Sequence, residues 1–173
     1  ADMDRDGNPE LVAVTYNHAF VYDGRTGAVR QRLDWNSGRN YGTLVVTDVD
    51  GDGYPDLVVL ADVLREHVAV IRNEGGKGLR LLWDRFTEQN YPDDHAALRV
   101  LTESVGDFDG DGRVEVVWSV YDDRTDRRWR TLVADALTGE TKREIPDTWL
   151  AAAGDLWPGH PPVLVLSRPK SRE

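Results

Sequence analysis

Apolar residues occur along the chain in short runs that glycine, aspartate and proline interrupt. The runs at 43–47 and 57–60 are rich in valine, leucine and threonine, which is typical of β-strands, and they are too short for helices. Within each period of the chain several such runs follow one another with glycine-containing turns between them, as in the antiparallel blades of a β-propeller. The strands predicted for the two complete periods are 43–47, 56–61, 67–72 and 79–83, and then 98–104, 114–121, 129–135 and 141–145.

This pattern predicts an all-β chain, a partial β-propeller in which about three to four blades of four antiparallel strands are present. We expect residues 1–173 to form one propeller segment with incomplete first and last blades, because no strand precedes the first acidic loop and only two strands fit into the last period. The expected partners therefore include the remaining blades of a longer chain or neighbouring subunits. The predicted blades are approximately 1–37, 38–87, 88–147 and 148–173.

Three acidic loops, each directly before a predicted strand, carry the most specific pattern in the chain. Loop 1 (2–10), loop 2 (48–56) and loop 3 (107–115) have carboxylates at positions 1, 3, 5 and 9 and glycine at position 6. Such closely spaced like charges repel unless a cation neutralises them, and Ca²⁺, which takes about six to eight flexible oxygen ligands, fits best. The predicted carboxylate ligands are Asp2, Asp4, Asp6 and Glu10; Asp48, Asp50, Asp52 and Asp56; and Asp107, Asp109, Asp111 and Glu115.

The spacing resembles that of an EF-hand loop, from which a further ligand is expected at the backbone carbonyl of position 7. The EF-hand itself does not fit, because position 12 lacks the required glutamate and a strand follows instead of a helix. Ordinary Asp-Gly turns are the other alternative, which three copies with one spacing and the same downstream strand disfavour. About three structural Ca²⁺ ions are therefore expected, with further carbonyl ligands at Asn8, Tyr54 and Arg113.

A fourth loop at 154–159 repeats the position of the other three but not their chemistry. Only Asp155 remains of its acids, and Trp157 and Gly159 occupy positions 3 and 5. A strand is predicted to follow at 163–166. We expect no metal in this loop.

Composition and charge restrict the classes of function. The chain has 173 residues, a net charge of −10 and no cysteine. Twelve of its 31 acids lie in the three loops, so the negative charge is local, and no basic stripe for nucleic acid is present. No apolar run is long enough to span a membrane. Sites of this type suit millimolar calcium, which favours an extracellular or cell-surface location.

The tryptophans indicate where blades meet. Trp83, Trp118 and Trp129 fall on predicted strands and are expected to pack between blades. Trp35 and Trp149 lie near predicted connections between blades. Stacking on a sugar is the alternative interpretation of these last two.

The segment Gly106-Asp107-Phe108-Asp109-Gly110-Asp111-Gly112 and the strand that follows it resemble the FG-GAP/VCBS repeat, and 48–57 resembles it equally well. That family builds the β-propellers of integrin α-subunits and of many secreted bacterial proteins. The resemblance implies that each loop joins the two innermost strands of its blade. It also implies that calcium lies on the face of the propeller opposite the usual ligand face.

Three functions are compatible with these features. The sequence contains no recognisable catalytic motif, so an enzyme is disfavoured, and the leading hypothesis is a calcium-stabilised, non-catalytic binding or adhesion module for a protein or carbohydrate ligand. The first alternative is the propeller portion of a secreted polysaccharide lyase, because similar aspartate-rich loops occur in some of those enzymes. The second alternative is a structural subunit of a larger assembly.

Overall fold

The structure, a computed structural model, describes residues 1–15, 17–35, 42–61, 66–87, 103–122, 127–155, 157 and 159–168. No helix in this part of the chain is long and apolar enough to cross a membrane. Strands dominate the described residues, as the sequence predicts. They are β1 (Glu10–Thr15), β2 (His18–Asp23), β3 (Val29–Asp34), β4 (Gly42–Thr47), β5 (Asp56–Ala61), β6 (Glu66–Asn73), β7 (Leu79–Thr87), β8 (Val105–Gly106), β9 (Glu115–Asp122), β10 (Arg128–Asp135), β11 (Thr141–Pro146), β12 (Trp149–Gly154) and β13 (Val163–Ser167).

The strands form four separate antiparallel sheets whose order follows the chain. The sheets are β1-β2-β3, β4-β5-β6-β7, β8-β9-β10-β11 and β12-β13, and they are called blades 1 to 4 below. Within each sheet, the described strands that are consecutive in sequence are hydrogen-bonded neighbours, so the connections between them do not cross the sheet. This arrangement confirms the predicted fold class, all-β with partial propeller blades. The sheets fall within the four predicted blade ranges, whose limits remain a prediction.

The strand that enters loop 3 differs from its prediction. The described part of this strand is β8, Val105–Gly106, which lies beyond the predicted 98–104. Pairing of these two residues with Val116 and Glu115 carries the ladder up to the start of the loop. Most of the predicted strand, 98–102, lies outside the described residues.

Two blades turn between their last two described strands in the same way. Asp23 and Asp135 each accept hydrogen bonds from the backbone N–H groups two and three residues later. Each also accepts the hydroxyl of the threonine in its Asp-x-x-Thr-Gly turn, at 2.8 and 3.1 Å. A short polar side chain thus satisfies backbone donors that the turn leaves without a strand partner.

The hydrophobic core is divided into layers that lie between neighbouring blades. Side chains of a strand alternate between its two faces, so Leu57 and Val59 of β5 pack towards blade 1, while Val58 and Leu60 pack towards blade 3. All four are buried. A smaller layer between blades 3 and 4 contains Val117, Val133 and Leu150.

Two of the three strand tryptophans link blades 2 and 3. Trp118 is fully buried in the layer between them, and the Arg85 guanidinium lies 5.4 Å from its ring centroid. The indole N–H of Trp83 donates a 2.8 Å hydrogen bond to the carbonyl of Ala136 in blade 3. Trp129 contacts its cross-strand partner Tyr121 within the same sheet, with ring centroids 5.7 Å apart, and its packing against another blade remains a prediction.

Candidate metal centres

The three acidic loops have one design, in which position 9 anchors the loop to its blade. Glu10, Asp56 and Glu115 are the first residues of β1, β5 and β9, and their exposed fractions are 6%, 0% and 0%. Each carboxylate accepts a hydrogen bond from the backbone N–H at position 2, at 2.7, 3.0 and 2.8 Å. A buried carboxylate therefore ties the beginning of each loop to its end.

The side chain at position 2 packs into the layer between the loop's own blade and the next blade. Met3 lies between blades 1 and 2, Val49 between blades 2 and 3, and Phe108 between blades 3 and 4. The backbone that carries the acidic residues is therefore continuous with the core. A change in the conformation of a loop must reach the contact between two blades.

The aspartate at position 1 holds the middle of each loop. In loop 2, the two oxygens of Asp48 accept the N–H groups of Gly51 and Gly53 at 2.7 and 2.8 Å. Asp107 makes the same pair of hydrogen bonds in loop 3, at 2.7 and 2.9 Å. The glycine at position 6 has φ of 87°, 87° and 85° in the three loops. This left-handed conformation, which glycine adopts without strain, turns the chain back over the carboxylates.

Each loop gathers carboxylate oxygens from three residues within 4.8 Å of one another. Two oxygens that ligate one Ca²⁺ at 2.3–2.6 Å are at most about 5 Å apart, so the observed clusters fit a calcium ion. The charge and the hardness of the oxygen donors fit the same ion. The clusters are Asp2, Asp4 and Asp6 in loop 1; Asp48, Asp50 and Asp56 in loop 2; and Asp107, Asp109 and Glu115 in loop 3.

Not every predicted carboxylate belongs to its cluster. Glu10 lies outside the cluster of loop 1, and the position 5 residues Asp52 and Asp111 lie outside the clusters of loops 2 and 3. Both of these position 5 residues contact a cation. Arg72 lies 3.0 Å from Asp52, and Asp111 is contacted by Lys142 and Arg113, at 2.9 and 2.8 Å. The predicted carbonyl ligands at position 7 remain a prediction.

Lysine and arginine side chains extend into two of the clusters, a feature that the loop motif does not indicate. The Lys142 ammonium lies 2.6, 2.9 and 2.8 Å from oxygens of Asp109, Asp111 and Glu115. Arg72 lies 2.6 Å from Asp50 in loop 2. An ion that binds loop 3 or loop 2 must compete with these contacts.

The ionisation of the clusters reflects this mixture of burial and charge. Hydrogen bonds from Lys142, and then from Arg113, hold the pKa of the Asp111 carboxyl well below its usual range. In loop 2, burial raises the pKa of Asp56 to about 6, although the N–H groups of Asn73 and Val49 donate to it. A bound cation would favour the anionic form of Asp56.

Sequence reasoning missed the residues that come to the loops from distant strands. Lys142 follows the Asp-x-x-Thr-Gly turn of blade 3 at the same offset as Arg30 follows that of blade 1, and an alignment of the blades could have found this position. Arg30, however, bonds to Asp23 of its own turn. The fourth loop includes residues outside the described part of the chain, so the expectation that it holds no metal remains a prediction.

Comparison with known proteins supports the repeat pattern. A family model described as FG-GAP-like repeat matches residues 2–59 and 48–118, which together cover more than half of the chain. Each match begins at the first carboxylate of one acidic loop and extends through the next loop, so loop 2 belongs to both. No curated protein matches the sequence.

Proposed function

The chain belongs to the FG-GAP-like repeat family, and on that basis we propose that it is a calcium-stabilised, non-catalytic β-propeller module that binds a protein or a carbohydrate outside the cell. The observation that carries the proposal is the recurrence of one carboxylate cluster at the same place in three successive blades. Each cluster offers a hard divalent cation several oxygens at ligand spacing.

The position of the loops supports a structural role for the ion. Each loop begins and ends next to a layer of the core, because position 2 packs into that layer and position 9 starts a strand. Without a cation, the crowded carboxylates repel one another beside this packing. Calcium is therefore expected to stabilise the contact between blades.

The stabilisation can be measured by thermal unfolding in calcium and in chelator. With a Kd of about 10⁻⁴ M and about 10⁻³ M calcium, each site contributes roughly 1.4 kcal/mol to the free energy of unfolding. Three such sites raise the Tm of a domain of this size by about 8–16 °C. An unchanged Tm after chelation would overturn the structural role.

Single substitutions at position 3 assign this effect to individual loops. Asp4→Asn, Asp50→Asn and Asp109→Asn should each abolish one site of three in a calcium titration, and each should lower the Tm in calcium. Asp155→Asn, in the fourth loop, is the matched control, since Asp155 is exposed and carries no predicted site. The assignment to these clusters fails if stoichiometry does not change in the three loop variants.

The location and the absence of catalysis need separate measurements. Dissociation constants of about 10⁻⁵ M or weaker suit the extracellular medium, and submicromolar constants would remove the reason for placing the protein outside the cell. Binding is tested on arrays of glycans and extracellular proteins with and without calcium. Depolymerisation of a uronate-containing polysaccharide by the longest natural form of the protein would replace this proposal by the lyase alternative.

A further inference from the structure

Asn73, the last residue of β6, connects loop 1 to loop 2. Its side chain is fully buried, and its amide group donates hydrogen bonds to the carbonyl of Met3 in loop 1 at 2.6 Å and to the carbonyl of Pro55 in loop 2 at 3.2 Å. Its backbone N–H donates at 2.8 Å to Asp56. One residue thus fixes the beginning of loop 1 and the end of loop 2 at the same time.

A second contact joins the two loops at the surface. Arg5, at position 4 of loop 1, has φ of 64°, and its Nη1 atom lies 3.5 Å from the carbonyl oxygen of Asp52 in loop 2. Its guanidinium lies 5.3 Å from the centroid of the Tyr54 ring. A Cβ atom on Gly53 would be 2.7 Å from the same Nη1, so Arg5 lies directly on the turn of loop 2.

Among the residues that the structure describes, loops 2 and 3 have no corresponding hydrogen-bonded link. Asp135 ends β10 as Asn73 ends β6, but it has no amide group to donate and instead accepts a hydrogen bond from Arg113 of its own blade at 3.2 Å. Position 4 of loop 2 is Gly51, which has no side chain to reach loop 3. Within the described part of the chain, no hydrogen bond joins loop 2 to loop 3.

We propose that loops 1 and 2 bind calcium cooperatively through Asn73 and Arg5, whereas loop 3 binds it independently. The inference depends on the proposed function, because it concerns the same ions. When an ion in loop 2 fixes Asp56, the Asn73 backbone is fixed with it, and the Asn73 amide then holds the Met3 carbonyl. The Met3 N–H donates to Glu10, so the same contact orders both ends of loop 1. By linkage, an ion in loop 1 favours loop 2 equally.

The coupling can be measured separately at each site by NMR. The amide resonances of the position 6 glycines Gly7, Gly53 and Gly112 report one loop each during a calcium titration. Removal of site 2 with Asp50→Asn is expected to weaken binding at loop 1 about fivefold, the lower end of allosteric couplings. The matched variant Asp109→Asn removes site 3 and should leave the affinity of loop 1 unchanged.

Two further variants identify the residues that transmit the effect. The serine side chain in Asn73→Ser is too short to reach both carbonyls. In that variant, the added substitution Asp50→Asn should no longer weaken calcium binding at loop 1, so the ratio of loop 1 affinities without and with Asp50→Asn should be close to one. Because Asn73 is buried, this variant also reduces stability. Arg5→Gly avoids that problem: Arg5 is exposed, and glycine is the residue at position 4 of loops 2 and 3. Arg5→Gly should lower the ratio of loop 1 affinities by a smaller amount than Asn73→Ser does, and it should leave the calcium response of the Gly112 amide unchanged.

The outcomes separate this inference from the function on which it rests. If calcium shifts the resonances of all three glycines in the unmodified protein, but Asp50→Asn does not alter the affinity of loop 1, the coupling is overturned and calcium binding stands. An equal effect of Asp109→Asn would overturn the independence of loop 3. If no glycine resonance responds to calcium, the proposed function fails and the coupling fails with it.

Discussion

The buried carboxylate at position 9 is predicted to have two separable roles, which substitutions of Glu115 can distinguish. The side chain is fully buried, accepts the N–H of Phe108 at 2.8 Å, and contributes to the carboxylate cluster of loop 3. Glu115→Gln keeps a hydrogen-bond acceptor of the same shape but removes the charge. Glu115→Ala removes both.

The difference between the two variants in chelator measures the hydrogen bond together with the packing of the buried side chain. A buried N–H that loses its partner costs about 1–3 kcal/mol, which corresponds to a further decrease in Tm of roughly 2–12 °C for Glu115→Ala in a domain of this size. Glu115→Gln should cost less than Glu115→Ala under the same conditions, because it keeps the acceptor and the volume of the side chain although it loses the ionic contact with Lys142. In calcium, both variants should lose the stabilisation that loop 3 contributes.

The assay is thermal and urea unfolding of the three proteins, each in chelator and in millimolar calcium. Equal stability of the two variants in chelator would refute the reasoning that position 9 holds the loop to its blade. A full calcium response of loop 3 in Glu115→Gln would refute its role as a ligand. Glu10→Gln and Glu10→Ala provide a comparison in loop 1, where the acceptor for Met3 lies outside the cluster.

Three other predictions follow from the packing and the charges. Lys142→Met should strengthen calcium binding at loop 3 about threefold to tenfold, because the ion no longer displaces an ammonium. Arg80→Met, which removes a cation outside the clusters, should leave this affinity unchanged. If loop 3 binds calcium equally well in both variants, the competition is contradicted. Burial lowers the pKa of His67 below its ordinary value of 6.5, so the unfolded chain takes up the proton more readily and stability should fall as the pH drops below that value. The loss is at most about 1.4 kcal/mol per pH unit, and a His67→Gln variant with the same slope in pH-dependent unfolding would exclude this origin. Trp118→Ala should cost about 3–5 kcal/mol in urea unfolding, whereas Trp157→Ala, whose side chain is 60% exposed, should change stability by less than about 0.5 kcal/mol.

Much of the fold could be predicted because its signals are local. Strands such as β5 and β9 show β-branched residues and short length directly in the sequence. The acidic loops were equally visible, since one short segment supplies all carboxylates of a cluster and chelation requires a fixed spacing. Pairing of consecutive strands then follows from the short turns between them.

The rest depends on how one blade is placed against the next, which local spacing does not encode. Lys142 enters the loop 3 cluster from 27 residues beyond Glu115, and the Asn73 amide reaches the Met3 carbonyl across 70 residues. A lysine on a predicted strand is usually solvated, so the sequence gives no reason to assign it to a metal cluster. Trp129 shows the same difficulty, because its position on a strand does not determine which neighbour its ring contacts.

The contacts of loop 1 explain why cooperativity is expected on one side of blade 2 and not on the other. Loops 2 and 3 are each entered from a described strand, β4 or β8, that pairs with the strand leaving the loop. In loop 1, the backbone of Ala1 pairs with Glu10 in the same way, so this loop is also held by its own blade, and the Asn73 amide of blade 2 adds a hydrogen bond to the Met3 carbonyl. Asn73, which makes this added contact, also donates its backbone N–H to Asp56, so ion binding in loop 2 is expected to lower the conformational cost of binding in loop 1.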